Sequence, residues 1–174
     1  LAALAVVRRL GVSISDLQTA LRSFSGVGRR MQSHGMHAFK AGEVLMLEDY
    51  GHHPKAIEVT IDAVRFAWPG RRLVMLFEPH RYSRTQACWA DFVAVLSSVD
   101  VLLLAPIYAA SEKPITGVSS ECLYHDISQH HGVDAYCFAD KDRIISNLPS
   151  IIRSGDIILI QGAGSLRNDI GKIK

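Results

Sequence analysis

The sequence predicts an α/β fold built on a mostly parallel sheet. From residue 43 onward, short apolar runs alternate with amphipathic segments of helical spacing, which is the pattern of strand–helix–strand units. The run Val99–Ala105 is almost wholly apolar, as expected for a strand covered on both faces. Charged and aromatic residues follow two of the apolar runs, at the strand ends where open α/β sheets bind ligands. We therefore predict a Rossmann-like sheet with helices on both faces and a site at its carboxyl edge.

Length and composition fit an ordinary globular domain. The chain has 174 residues and a net charge of +2, too small to indicate nucleic acid or a membrane surface as a partner. No run approaches the roughly 18 apolar residues that span a bilayer. The cysteines are odd in number and lack metal-type spacing, so we expect reduced thiols in a cytoplasmic protein.

The first 27 residues differ from the rest of the chain because they have helical apolar spacing and no strand pattern. Leu1–Leu10 and Asp16–Phe24 have helical apolar spacing, with Gly11 as a stop signal and Ser13 or Ser15 as a cap. Two short helices could not bury their apolar faces alone, so we interpret residues 1–27 as the end of a preceding domain and residues 28–174 as the main domain. The glycine-bracketed, basic stretch Gly26–Arg30 then marks a hinge. Because the chain begins with Leu rather than Met, we expect it to be a fragment.

The next elements follow from periodicity and turn signals. Ser33–Phe39 and Glu43–Leu47 are extended runs separated by a lysine, an alanine and a glycine, which indicates a hairpin. Lys55–Ala67 has helical spacing, with Ile57, Ile61, Val64 and Phe66 as apolar markers, and Pro69-Gly70 ends it. Leu73–Phe77 is predicted as a strand.

The second half continues the alternation. Ser83 is placed to cap a helix that runs through Leu96, with Trp89, Phe92, Val93 and Leu96 towards the sheet. The remaining pattern predicts, in order, the strand Val99–Ala105, the helix Ser119–His130, the strand Ala135–Phe138, the helix Asp142–Ile152, the strand Asp156–Ile160 and a closing helix.

The first candidate site is the turn after the Val44–Leu47 run. It carries Asp49, Tyr50, Gly51, His52 and His53. Asp49 could accept hydrogen bonds from a ribose or help hold a magnesium ion through water; alternatively, it begins the following helix. Adjacent histidines in an irregular turn usually diverge, and a metal would need a third ligand, for which His80 is the obvious residue. We predict no metal site here.

The second candidate site follows Leu73–Phe77. Arg81 and Arg84 are three residues apart at the start of a helix, where the helix dipole is unfavourable for cations. A bound carboxylate or phosphate would offset that cost; alternatively, the two arginines form a solvated pair bridged to Glu78 or Asp91.

Two further segments follow predicted strands. Gly162-Ala163-Gly164 resembles part of a dinucleotide fingerprint but lacks its third glycine and the acidic residue about twenty positions later. We therefore favour a tight strand-to-helix turn. Glu112, after the Val99–Ala105 strand, could also reach the crevice.

The two charged turns together, 48–54 and 79–85, closely resemble paired motifs in the C-terminal domain of the Mur ligases. The segment 108–114, the closing glycine turn and the Gly26–Arg30 hinge also resemble that family, so the resemblance covers nearly the whole chain. It implies the third domain of a cytoplasmic, three-domain enzyme of peptidoglycan synthesis, with the end of its second domain. The family continues differently after the glycine turn, where this chain has 165–169.

The resemblance also implies the chemistry. Such an enzyme uses ATP and Mg²⁺ to phosphorylate the carboxylate of UDP-N-acetylmuramate, and the amine of L-alanine then attacks the acyl phosphate. The phosphate loop and most of the metal site belong to the central domain, and no such loop occurs in this sequence. By this resemblance, the isolated fragment would be inactive and its partners would be its own N-terminal and central domains.

Site roles carry over on the matching residues. Asp49 matches the acid that contacts the ATP ribose, and Tyr50 flanks the nucleotide. His52, His80, Arg81 and Arg84 match the group that lines the amino-acid and phosphate region, with His52 or His80 as the proton acceptor.

Two alternatives remain at this point. One is the branch of the family that recycles murein tripeptide, which the residues at 80–84 disfavour. The other is a stand-alone module that binds a nucleotide or another anion without chemistry.

Overall fold

The computed structural model describes residues 2–24, 26–130 and 132–173; Leu1, Ser25, His131 and Lys174 lie outside the described residues. The strands are β1 (Gln32–Phe39), β2 (Gly42–Asp49), β3 (Leu73–Phe77), β4 (Val101–Leu104), β5 (Asp134–Cys137) and β6 (Ile157–Gln161). The helices are α1 (Ala2–Arg9), α2 (Ile14–Ser23), α3 (Pro54–Ala67), α4 (Tyr82–Ala87), α5 (Trp89–Leu96), α6 (Ser120–Ile127) and α7 (Lys141–Ile151), and a 3-10 helix spans Leu166–Lys172. None of the described helices is long and apolar enough to cross a bilayer.

The described strands form one six-stranded sheet in the order β1-β2-β6-β3-β4-β5. β1 and β2 are an antiparallel hairpin, as predicted, and every other neighbouring pair is parallel. The α/β class and the mostly parallel sheet are therefore confirmed. The order places β6, the last strand, between β2 and β3. The turns that follow β2, β6 and β3 are therefore neighbours at the carboxyl edge of the sheet.

The sheet is covered on both faces because the side chains of a strand alternate between them. On one face, Leu73, Met75 and Phe77 pack with α3, α5 and α6. On the other, Val74 and Leu76 pack with α7 and the 3-10 helix. The central strands are buried at every position, which explains their continuous apolar runs. Helices on both faces are thus confirmed.

One detail of the helix predictions is wrong. The predicted helix after β2 forms as α3, in which Ile57, Ile61 and Val64 are buried, whereas the fourth apolar marker, Phe66, is 91% exposed. The single helix predicted from Ser83 to Leu96 is two helices, α4 and α5, with a non-helical residue at Cys88 (φ −112°, ψ 25°). No proline or glycine marks this break.

The start of α4 also differs from the prediction. The residue that precedes the helix is Arg81, which forms no side-chain capping bond, and Ser83 lies inside the first turn. Arg81 has φ of 73°, a left-handed conformation that is rare for a residue with a Cβ. This backbone directs the chain sharply from β3 into α4.

The two N-terminal helices form where the sequence predicts them, and Ser13 caps α2 through its hydroxyl. Neither helix buries a residue. Large side chains along this segment are more than half exposed: Val6, Leu10, Ile14, Leu21, Phe24 and Val27. Their assignment to a preceding domain, with 28–174 as the main domain, stays a prediction.

Candidate functional site

The candidate site lies along the carboxyl edge of the sheet. Hydrogen bonds beyond the regular strand ends tie the turns to one another: Gly162 N donates to Asp49 O at 3.1 Å, and Glu78 N donates to Gln161 O at 3.2 Å. Ala105 N donates to Phe77 O at 2.9 Å. The turns after β2, β6, β3 and β4 are therefore held as one continuous surface, and both predicted turns belong to it.

Four aromatic rings form a row across this edge. The ring centroids of Tyr50 and His52 are 5.2 Å apart, and those of His52 and His80 are 5.6 Å apart. Tyr108, from the loop after β4, stacks on His80 at 5.5 Å with an interplanar angle of 21°. The structure thus brings together three of the predicted residues and adds Tyr108, which the sequence did not single out as part of the site.

The imidazole of His52 has one nitrogen committed to the backbone. Its Nδ1 lies 3.1 Å from the carbonyl oxygen of Tyr50, and a carbonyl only accepts, so Nδ1 carries the proton and Nε2 keeps its lone pair. Burial lowers the pKa of His52, and the nearby Arg84 guanidinium lowers it further, although the bond to Tyr50 opposes this. His52 is therefore neutral near pH 7, with a free acceptor nitrogen.

His80 has the opposite arrangement. Its Nδ1 lies 3.2 Å from Nη1 of Arg84; because a guanidinium only donates, Nδ1 accepts and the ring proton is on Nε2. Burial and the positive charge of Arg84 lower the pKa of His80. Adjacent rings thus present one acceptor nitrogen, on His52, and one donor nitrogen, on His80.

The two predicted arginines are held differently. Arg84 also donates to the carbonyl oxygen of His80 at 3.0 Å, whereas the Arg81 side chain is exposed and its backbone N donates to Tyr108 O at 2.8 Å. The Glu78 carboxylate, one predicted partner of the pair, instead accepts from Leu166 N at 2.8 Å and Ser165 Oγ at 3.2 Å.

Asp49 is nearly buried, with 5% of its surface exposed. Its Oδ1 accepts from Gly51 N at 2.7 Å and from Gln161 Nε2 at 3.3 Å, and its Oδ2 accepts from Met31 N at 3.0 Å. The alternative that Asp49 begins α3 is wrong, because His53 caps that helix through Nδ1. Asp49 also lines a surface cavity of about 460 Å³, walled by Arg30, Met31, Lys55, Ala56, Val59, Thr60 and Ala63.

Arg29 joins the predicted hinge to this edge. Its Nε donates to Glu48 at 3.1 Å, its Nη2 donates to Gly162 O at 2.9 Å, and its Cζ lies 4.5 Å from the centre of the Tyr50 ring. A guanidinium over a tyrosine ring is a favourable cation–π contact. Sequence reasoning placed Arg29 in a linker and missed these contacts, because they join residues up to 133 positions apart.

The glycine turn after β6 is tight because Glu78 lies against it. Gly162 has φ of 145°, and a Cβ at Gly164 would lie 2.7 Å from Glu78 Cδ and 3.0 Å from Tyr108 Cβ. The prediction of a tight turn is confirmed. The closing helix is a 3-10 helix rather than a full α-helix.

His53 diverges from His52, as predicted for neighbours in a turn. Its Nε2 faces Cys88 Sγ at 3.9 Å while Nδ1 caps α3. Among the residues the structure describes, no group of three or more His, Cys, Asp or Glu side chains is placed to hold a metal ion.

The chain matches known proteins in both sequence and fold. Residues 29–164 match the family model of the Mur ligase glutamate ligase domain. The UDP-N-acetylmuramate–L-alanine ligase of Psychrobacter cryohalolentis is 45% identical over 166 residues, which are 95% of this chain and 34% of that protein. The chain therefore spans about a third of the length of this curated relative.

Two solved structures have the same fold. A UDP-N-acetylmuramate–alanine ligase from Thermotoga maritima superimposes with a TM-score of 0.72 at 20% identity, covering 99% of this chain and 35% of that one. A murein peptide ligase from Psychrobacter arcticus gives 0.67 at 23% identity, covering 98% and 34%. From the family match and the curated relative, this chain belongs to the Mur ligase family and contains its glutamate ligase domain.

Proposed function

We propose that the full-length protein is an ATP-dependent ligase that joins L-alanine to UDP-N-acetylmuramate in peptidoglycan synthesis. The observation that carries this proposal is the pairing of a neutral acceptor, His52, with a neutral donor, His80, beside a guanidinium. The relative that is 45% identical over nearly the whole chain is named for this reaction. The chain supplies the end of the active site that receives the amino acid.

The guanidiniums of Arg81 and Arg84 would bind the carboxylate of the amino acid. Arg81 is exposed and free to turn towards a ligand, and Arg84 is fixed by His80 on the same turn of chain. Paired N–H donors match the two oxygens of a carboxylate. A substrate held there would place its amine near the imidazoles, so much of the rate enhancement would come from proximity.

His52 is the proposed proton acceptor. L-alanine arrives as an ammonium, which must lose one proton before its nitrogen can attack, and the free Nε2 of His52 can take that proton. The C–N bond then forms at the acyl carbon and the bond to the phosphate oxygen breaks, so phosphate leaves and a second proton is released from nitrogen. The Nε2 proton of His80 and the guanidiniums would stabilise the negative oxygen that develops on the acyl carbon.

ATP would meet this chain at the β2 end of the edge. Asp49 lines the surface cavity of about 460 Å³, and Arg30 and Lys55 add positive charge to its wall. Tyr50 is the first ring of the aromatic row. We propose that Mg²⁺ and the loop that holds the phosphates belong to the rest of the enzyme, and no step here passes through a metal on this chain.

Closure of this domain onto its neighbour would complete the site. Residues 1–27 would belong to the central domain, and the pivot would be in Gly26–Arg30. Because Arg29 is bonded to Glu48 and Gly162, we place the moving part before Arg29. The reactants are cytoplasmic nucleotide precursors, so we propose a cytoplasmic location.

Phosphate release by the full-length protein tests this function. The protein is given ATP, UDP-N-acetylmuramate and either L-alanine or the murein tripeptide as acceptor. We expect turnover with alanine. Turnover with the tripeptide alone would assign the protein to the recycling branch, and the absence of turnover with both, in a folded protein that binds ATP, would support a binding module.

A further inference from the structure

Glu112 lies in the loop after β4, outside the two charged turns 48–54 and 79–85, yet its carboxylate accepts hydrogen bonds from the first turn of α4. Oε2 accepts from Ser83 N at 3.0 Å, and Oε1 accepts from Ser83 Oγ at 2.6 Å. The residue in the N-cap position, Arg81, forms no side-chain cap. Because the first N–H groups of a helix need an acceptor from outside, Glu112 acts as the cap of α4 from a separate segment of the chain.

The loop that carries Glu112 is itself under conformational constraint. Ala110 and Ser111 have φ of 48° and 72°, left-handed values that are unfavourable for residues with a Cβ. Such a conformation persists only when surrounding contacts hold it. Here the loop is held at one end by Tyr108, which bonds to Pro79 and Arg81 through the backbone, and at the other by Glu112.

The same contacts join the loop to the site. Tyr108 stacks on His80, and Ser83 lies between Arg81 and Arg84 in the chain. The bonds from Ser83, followed by the nearby positive charge of Arg81, hold the pKa of Glu112 below its usual range, so the carboxylate stays ionised at neutral pH and keeps both acceptor oxygens.

We propose that Glu112 is a positioning residue for amino-acid capture. It holds the start of α4, with Arg81 just before the helix and Arg84 within it, and it keeps His80 against Tyr108 in the geometry that binds a carboxylate. This inference rests on the proposed function, since it assigns the amino acid to that surface. Glu112 does not touch the substrate in this account. It acts through α4 and through the loop of Tyr108.

The test measures apparent KM values for L-alanine and for ATP in the full-length enzyme. Glu112→Ala removes both bonds, and Ser83→Ala removes only the hydroxyl bond. Loss of a bond to a charged acceptor typically changes an equilibrium by roughly tenfold or more, so we expect about a tenfold rise in the alanine KM for Glu112→Ala and a few-fold rise for Ser83→Ala. The ATP KM should stay within about twofold.

Two further variants separate positioning from a general loss of structure. Glu112→Gln can accept from Ser83 N and donate to Ser83 Oγ, so it should recover part of the alanine KM. Glu43→Gln, an exposed acid at the opposite end of β2, is the matched control and should behave as wild type. In the double variant, Ser83→Ala should add nothing to Glu112→Ala, because its hydroxyl bond is already lost.

The outcomes are distinguishable. Unchanged alanine KM in Glu112→Ala, or equal losses for alanine and ATP, would overturn the positioning role while leaving the proposed function intact. A wild-type enzyme that does not use alanine would instead refute the proposed function on which the inference rests.

Discussion

Replacing Gly164 with alanine tests how closely the turn after β6 packs against β3. The added Cβ would lie 2.7 Å from Glu78 Cδ and 3.0 Å from Tyr108 Cβ, both closer than ordinary van der Waals contact. Glu78 is 3% exposed and is held by Leu166 N and Ser165 Oγ. The carboxylate therefore cannot withdraw without breaking a bond.

The cost follows from these contacts. Losing one hydrogen bond to a buried carboxylate costs roughly 1.5–3 kcal/mol, and forcing a methyl group into a packed site costs roughly 1–3 kcal/mol. The lower entropy of the unfolded alanine chain returns roughly 0.4–1 kcal/mol. We expect a net loss of about 3 kcal/mol in the free energy of unfolding, which for a chain of this size corresponds to a fall in Tm of about 6–12 °C.

Thermal unfolding followed by circular dichroism measures this change. Gly171→Ala is the matched control, because a Cβ there meets nothing within 4 Å. Only the entropy of the unfolded chain changes, so stability should rise by no more than about 1 kcal/mol. If Gly164→Ala unfolds at the same temperature as wild type and as Gly171→Ala, the described packing of Glu78 against the turn is wrong.

Three further predictions concern the site. In the full-length enzyme, Arg84→Met should raise the KM for L-alanine by roughly tenfold or more through loss of a carboxylate contact while changing the ATP KM little; equal changes measured by steady-state kinetics would contradict that role. Removing the Arg84 cation should also raise the pKa of His52 and His80, because the guanidinium now lowers both. Since only neutral His52 accepts a proton, the acid limb of the pH–kcat/KM profile should move to higher pH, and an unmoved limb would count against His52 as acceptor. Asp49→Asn places an amide N–H against a backbone donor, so it should lower the free energy of unfolding by roughly 1–3 kcal/mol and raise the ATP KM. A calorimetric unfolding curve and an ATP KM that both match wild type would contradict the proposed role of Asp49.

Most strands could be predicted because a strand that is buried on both faces is a continuous run of apolar residues in the sequence. Leu73–Phe77 matches the observed strand at both ends, and the hairpin followed from two extended runs around a glycine. The break at Cys88 could not be predicted, because no proline or glycine marks it in the sequence. Phe66 follows Ile57 by about two and a half turns at 3.6 residues per turn, so the helical period itself places it on the side of α3 opposite the buried residues.

The sequence indicated several residues that lie along this edge, but it missed Tyr108 and Arg29 and could not give the contacts among the side chains. The roles of these residues stay predictions. The residue types of His52, His80 and Arg84 indicate anion and proton chemistry, and the order of strands brings them together. Their tautomers depend on Tyr50 O and on Nη1 of Arg84, which only the fold places. Contacts between distant segments, such as Glu112 with Ser83 or Arg29 with Gly162, have no sequence spacing from which they could be inferred.

We propose that the part of this edge formed by His52, His80 and Arg84 serves the attack of the amine and not the phosphorylation of the muramate carboxylate. The most direct test compares two rates in the full-length enzyme: ADP–ATP exchange with UDP-N-acetylmuramate in the absence of amino acid, and amide formation with L-alanine. In His52→Gln and Arg84→Met, we expect exchange to stay within about threefold of wild type. Amide formation should fall by roughly a hundredfold in His52→Gln, within the range for loss of a general base. In Arg84→Met it should fall by roughly tenfold or more at an alanine concentration below the KM, through loss of the carboxylate contact. Equal falls in both rates would contradict the account.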